Sequence, residues 1–458
     1  MGKIVLVILS LIFSETVFAA SDSTMPMLAT SAIGIFSLIV FSIGYYFVAT
    51  EDKYHIDKAK PALFTGTFLF IAIAVYYAFN GYNLDALHTE VEHLILEIAE
   101  IFFFLFVAMT FIESLVHLRV FDSLRYKLLT RGYTYKKLFW MTGVMAFFLS
   151  PVADNLTTAL ILATVLKTID PHNRKFLVLG AINIVVAANS GGAWSPFGDV
   201  TTLMAWNAGK GTFTDFMYLF PSAFAGFAVT AVLLSLFVQD GKPAFDIQTA
   251  VRPEMAKGAI PVVYLGIFTI AMAVVSHQFL HLPAMWGMLF GLSLLKLYSF
   301  RLKKKYKSDF NVFDSISKIE NNTLLFFFGI LAAVGALQVL GWLKLFSELY
   351  HPSNLGPTIT NIIVGFVSAL IDNVPVMYAI LKANPIMDHA QWMLVTLTAG
   401  IGGSMVAFGS AAGVGMMGKL KDVYTFSSHM KYAWTVLLGY IVSVLVWYVQ
   451  FQIFGIGA

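Results

Sequence analysis

Of the chain's 458 residues, 58% are hydrophobic and only 12% are Asp, Glu, Lys or Arg, for a mean hydropathy of +0.78. A soluble globular protein has no use for so much apolar surface, so the composition predicts an integral membrane protein and no nucleic-acid partner. The formal charge is only +3, and the absence of cysteine excludes disulfides, thiol catalysis and thiolate metal sites.

The chain begins Met1-Gly-Lys3, continues with an apolar run over residues 4–13, and reaches small residues in Thr16-Val-Phe-Ala-Ala-Ser21. This pattern predicts a signal peptide over residues 1–20; the alternative is a short first membrane helix that is retained. Either way, residues 21–24 begin outside the cytoplasm. Apolar stretches of spanning length follow over about residues 25–49, 61–79, 94–118, 176–206 and 216–238, then 259–279, 284–300, 321–343, 392–418 and 433–454.

Two further apolar segments, about residues 138–166 and 358–381, are broken in the middle. The first contains Ser150-Pro-Val-Ala-Asp-Asn-Leu-Thr-Thr158, and the second Ser368-Ala-Leu-Ile-Asp-Asn-Val-Pro375. A carboxylate at the bilayer centre costs roughly 2.5 to 3.5 kcal/mol on insertion scales, so two such placements point to function. Loop charge decides how the broken segments sit. If both are re-entrant hairpins, ten spans put every Lys and Arg except Lys3, Lys210, Lys344 and Lys382 on the cytoplasmic side, as the positive-inside rule requires. The expected fold is therefore an all-α polytopic membrane protein of about ten transmembrane helices plus two re-entrant hairpins, with both mature termini outside the cytoplasm.

The basic run Arg301-Leu-Lys-Lys-Lys-Tyr-Lys307 divides two similar halves. Phe102-Phe-Phe104 precedes Asp154 much as Phe326-Phe-Phe328 precedes Asp372, and each Asp-Asn turn is followed by a glycine-broken span. These spans read Asn189-Ser-Gly-Gly-Ala-Trp-Ser-Pro-Phe-Gly-Asp199 and Gly400-Ile-Gly-Gly-Ser-Met-Val-Ala-Phe-Gly-Ser410, sharing Gly-Gly followed by Phe-Gly. Corresponding spans would run in opposite directions, which makes an inverted-topology repeat, a common plan of secondary transporters. The expected organisation is scaffold helices over residues 21–90, a first transport repeat with a cytoplasm-open hairpin over 91–240, connecting helices and a basic loop over 241–318, and a second, inverted repeat with an outward-open hairpin over 319–458.

Non-helical backbone at membrane depth is tolerated only where protein or a water-filled cavity satisfies it, so four converging breaks would enclose a binding site. Such a site is rich in hard oxygen donors, which suit alkali cations better than transition metals.

In combination and in order, the two Asp-Asn turns and the Asn189 to Asp199 break resemble the NhaD-type sodium/proton antiporters of the ion transporter superfamily, over nearly all of the chain. In related members that carry dicarboxylates, the hairpin tips resemble Ser-Asn-Thr. Here Asp154 and Asp372 stand in place of the serine, and Leu156 and Val374 in place of the threonine. The resemblance implies exchange of Na⁺, and also Li⁺, for H⁺ in the cell inner membrane, by a homodimer with no cofactor beyond the transported ions. Asp154 and Asp372 would hold either a proton or a cation, with Asn155, Asn373, Thr157, Ser150 and Asn189 as neutral ligands and Asp199 as a further carboxylate. Sodium itself is expected at Asp154, Asn155, Asp372 and Asn373. Each Asp could instead be an N-cap of the helix after it.

His93, Glu97 and Glu100 share one helical face near the outer end of their span, where they could form a cation funnel, a proton relay or a solvated helix end. Glu113 lies deeper and, with Glu100, is a candidate for proton relay or pH sensing. Two rival functions are a Na⁺-coupled anion permease for dicarboxylate or arsenite, and an intramembrane aspartyl protease. The protease would need two carboxylates sharing a proton in a wet cleft, a chemistry in which paired Asp-Asn turns and an inverted repeat have no role.

Overall fold

Backbone N–H and C=O groups surrounded by hydrocarbon must bond to one another, and the apolar runs achieve this by coiling into helices. The computed structural model describes residues 25–54, 56–129, 132–243, 254–306 and 309–456; the leader expected over residues 1–20 lies outside the described residues. The first half comprises α1 (Ala32–Ala49), α2 (Ala59–Asn80), α3 (Leu84–His117), α4 (Val120–Leu129), α5 (Tyr135–Ala153), α6 (Asn155–Ile169), α7 (Arg174–Gly192), α8 (Val200–Asn207), α9 (Phe213–Met217) and α10 (Phe220–Ser235). The second comprises α11 (Ala259–Gln278), α12 (Ala284–Tyr306), α13 (Val312–Lys318), α14 (Asn321–Val339), α15 (Trp342–Ser347), α16 (Gly356–Leu370), α17 (Asn373–Ala383), α18 (His389–Gly402), α19 (Ala411–Lys419), α20 (Phe426–Met430) and α21 (Ala433–Trp447).

The protein is all-α and polytopic: among the described residues, eight helices are long and apolar enough to cross a membrane. Two of the ten stretches read from hydropathy fall outside that group. Residues 284–300 belong to α12, whose last turn carries Lys303, Lys304 and Lys305. Residues 392–418 are two short helices, α18 and α19, separated at the glycine-rich break, and residues 176–206 divide in the same way into α7 and α8.

The chain forms two compact units. Among the described residues, one holds those of 25–99, 321–357 and 378–386. Its core gathers Leu69, Ile73 and Tyr77 of α2 with Ala333 and Ala336 of α14, beside Leu87 and Leu340. Leu28 N–H donates to the Leu340 carbonyl at 3.0 Å, and the Trp342 indole donates to Gly34 O at 3.1 Å.

The other unit holds residues 100–320, 358–377 and 387–458. Its centre is α7, almost wholly buried, with the Asn183 amide donating to the Phe139 carbonyl of α5 at 2.8 Å. Helix α5 packs along α7, as does α10 on its way to α21. Because lipid is as apolar as leucine, such helices associate through close packing and polar bonds rather than the hydrophobic effect; Thr230 of α10 donates to the Thr435 carbonyl at 3.3 Å. The far ends of α5 and α6 meet, where the Tyr135 hydroxyl donates to Asp170 Oδ2 at 2.6 Å. Helices α5 and α6 thus form a hairpin whose tip is the Asp154 turn.

Candidate functional site

Pro151 stands inside the last turn of α5, and the helix ends at Ala153. Asp154 then adopts φ 54° and ψ 164°, a region that costs a residue bearing a Cβ about 1–3 kcal/mol and clusters at functional sites. Its carboxylate caps α6: Oδ1 accepts the Thr157 N–H and Oδ2 the Thr157 hydroxyl, each at 2.8 Å. Asp372 is buried before α17, and its Oδ1 accepts the Val374 N–H at 3.2 Å. Both aspartates therefore serve as caps. That does not compete with ligation, since an ionised carboxylate has about four acceptor positions.

The two glycine-rich breaks explain their shared sequence skeleton. A Cβ on Gly192 would lie 2.6 Å from Gly198 O, and one on Gly403 would lie 2.5 Å from Gly409 O. The second residue of each Gly-Gly pair thus touches the glycine of Phe-Gly, and only glycine lets the backbone fold back so closely. Side chains satisfy the freed backbone. Thr202 donates to Ser195 O at 2.8 Å and Asp199 O at 2.7 Å, and Ser195 donates to Pro151 O at 3.0 Å. Ser150 bonds to the Ala188 carbonyl at 2.6 Å, and Ser368 bonds to the Ala399 carbonyl at the same distance.

Between the turns and the breaks lies one polar cluster. Asp199, 3% exposed, caps α8 by accepting the Thr201 N–H at 3.0 Å through Oδ1. Its Oδ2 accepts the Asn155 side-chain amide at 2.6 Å and the Asn373 amide at 2.9 Å. Asn155 also donates to Asn189 Oδ1 at 3.0 Å, while Asn189 donates to the hydroxyls of Ser404 and Ser410, both at 2.8 Å. The carbonyl oxygen of the Asn373 side chain is buried and has no hydrogen-bond partner among the described residues. Helices α6, α8, α17 and α19 all begin at this cluster, and their positive dipole ends offset part of its negative charge. Chemically it offers hard carboxylate, amide and hydroxyl oxygens. Among the described residues, no group of three or more His, Cys, Asp and Glu is placed to hold a metal ion.

The cluster joins four residues read from the sequence: Asn155, Asn189, Asp199 and Asn373. Asp154 and Thr157 bond to each other at the first turn, and the Ser150 hydroxyl is spent on backbone carbonyls. Glu113 lines a cavity that also reaches Thr157, and Glu100 is half-buried on α3. Glu97 is more than a solvated helix end: its carboxylate pairs with the Lys382 ammonium and accepts the Tyr378 hydroxyl at 3.1 Å.

Sequence reasoning overlooked Ser404, Ser410 and Thr202. The alignment of the two breaks carried the signal for Ser410, which occupies the place of Asp199. It also overlooked His429, fully buried, with Nε2 3.2 Å from Met405 O in the second break and Nδ1 2.8 Å from the Tyr424 hydroxyl. No spacing in the sequence brings that histidine to the break.

A family model described as a citrate transporter matches residues 36–400. Among curated proteins, the chain is 41% identical to the Na(+)/H(+) antiporter NhaD of Vibrio cholerae over 97% of each chain. It is 40% identical to the Na(+)/H(+) antiporter NhaD of Alkalimonas amylolytica over 96% of this chain and 95% of that one. Sodium/proton antiporter 1 of Arabidopsis thaliana is 31% identical over 84% of this chain and 67% of its own length.

Proposed function

The chain belongs to the NhaD-type sodium/proton antiporters within the citrate-transporter family, which makes it a secondary ion transporter, and we propose that it exchanges Na⁺, and also Li⁺, for H⁺. The observation that carries this reading is the Asp199 carboxylate, buried and shared by the amides of Asn155 and Asn373 from the two Asp-Asn turns. A carboxylate there can hold a proton or help bind a cation, but not both at full strength. Cation and proton compete for the same oxygens. Asp154 and Asp372 would add the charges that a cation leaving water requires. Cation affinity then rises with pH, as protons are removed from the same oxygens.

The matching Ser150–Ala188 and Ser368–Ala399 bonds support an inverted repeat of two re-entrant hairpins around a common site. In this reading the protein works in the cell inner membrane as a homodimer, with both mature termini outside the cytoplasm. In everted vesicles carrying a preformed pH gradient, added Na⁺ or Li⁺ should dissipate the gradient, and Asp199→Asn should shift the response to roughly ten- to hundredfold higher Na⁺. A wild-type protein silent in this assay overturns the proposal.

The second reading is a Na⁺-coupled anion permease, since four helix N-termini face the cluster and such ends attract anions. Sodium-dependent citrate uptake without dissipation of the pH gradient would establish it.

A further inference from the structure

A cavity of about 270 Å³ lies against α6, on the face of that helix that begins at the first Asp-Asn turn. Thr157, Leu160, Ile161 and Thr164 line it, a spacing that keeps them on one helical face. From Thr157 to Thr164 this wall extends for roughly 10 Å. At its inner end is the Thr157 hydroxyl, which donates to Asp154 Oδ2 at 2.8 Å; at the other end Thr164 is exposed.

The opposite wall is charged. Glu113 of α3 and Asp122 of α4 face it, with Glu320 and with the ammonium groups of Lys318 and Lys419. Lys318, Glu320 and Lys419 are also the charges that act on Glu113. The cavity thus runs from a wall that carries the carboxylates of Glu113, Asp122 and Glu320 to Thr157, whose hydroxyl holds Asp154, and carboxylates along a cleft raise the local concentration of cations.

We infer that this cavity is the hydrated route by which monovalent cations reach and leave the Asp154 turn from the side of Lys318 and Lys419, and that Glu113 steers them along it. The inference rests on the exchange reading above for the identity of the ion, but not for the existence of the route. Glu113 acts by raising the local cation concentration.

The chain has no cysteine, so single replacements introduce the sole thiol. Leu160→Cys and Thr164→Cys should be modified by a membrane-impermeant cationic thiosulfonate in vesicles of the same orientation in which the exposed Lys421→Cys is modified. Replacing choline chloride with NaCl should slow modification of Leu160→Cys. In transport, Glu113→Gln should raise the Na⁺ KM on that side by roughly threefold or more with kcat retained, and added choline chloride should shrink the difference by screening. Glu113→Asp should behave as the unmodified protein.

No modification at position 160 or 164 while Lys421→Cys reacts, or reaction only from the opposite side, overturns the route. Modification indifferent to Na⁺, with an unchanged KM in Glu113→Gln, overturns its role in cation passage. A wild-type protein without Na⁺-driven proton movement would overturn the exchange reading instead, because thiol access is read independently of transport.

Discussion

Asn373 donates its side-chain amide to Oδ2 of Asp199 across 2.9 Å, and it does so to the same oxygen that Asn155 reaches at 2.6 Å. Two turns 218 positions apart, 155 against 373 in the chain, are thereby tied to a single buried carboxylate. Any change in the charge of that carboxylate must be felt by both.

Replacing Asp199 by Asn should therefore affect more than one bond. The two amides would face a neutral group that accepts through only one atom, and hydrogen bonds to a charged partner are worth about 1.5–3 kcal/mol. Apparent Na⁺ affinity should fall by roughly ten- to hundredfold on that scale. Titration of the vesicle pH response with NaCl measures it, and an unchanged half-saturation would show that Asp199 does not bear on the ion.

Asp154 tests cap against charge. Asp154→Asn keeps a side-chain acceptor for the Thr157 N–H and tolerates positive φ, so the melting temperature in detergent should stay close to wild type while exchange is lost. Asp154→Ala loses the cap as well and should be destabilised by about 1 kcal/mol or more. Full exchange by Asp154→Asn would reduce this residue to a structural cap.

Across the exchange reading, raising pH within the active range should lower the Na⁺ concentration needed for half-maximal response, because proton and cation compete for the same oxygens. Asp372→Asn should flatten that dependence by removing one competing charge. Initial rates over a matrix of pH and NaCl concentrations would reveal it, and a wild-type half-saturation independent of pH would count against competition.

His429 should stabilise the second break. Tyr424→Phe removes the donor to Nδ1 in a fully buried setting, at a cost of about 1–3 kcal/mol for an unsatisfied group. His429→Gln, able to donate to the Met405 carbonyl, should retain more activity than His429→Ala. Thermal melting and transport rates of the three variants together decide this.

On the α17 side, Lys382 and Glu97 should be coupled. Glu97 is 46% exposed, so solvent screening should hold the interaction to about 0.5–1 kcal/mol. A double-mutant cycle of Glu97→Gln and Lys382→Met on stability measures it; additive effects would mean the pair contributes nothing.

Composition and period settled a large part of this protein without any structure. Apolar length announced the helices, and the Asp-Asn turns, the prolines and the Gly-Gly to Phe-Gly skeleton marked where they break, because each is a local demand on backbone geometry. The alternation of basic loops likewise carried an expected topology. What the sequence could not express was distance between residues far apart in the chain. Asn189 reaching Ser404 and Ser410, Asn373 reaching Asp199, and His429 reaching Met405 depend on how helices pack, and helix packing in lipid is set by shape and polar contact rather than by hydropathy. The roles of the three aspartates separate for the same reason. Asp154 and Asp372 look equivalent in sequence and cap their helices, whereas Asp199, along the chain only a further carboxylate or a helix cap, becomes the carboxylate on which both turns converge only once the chain is folded.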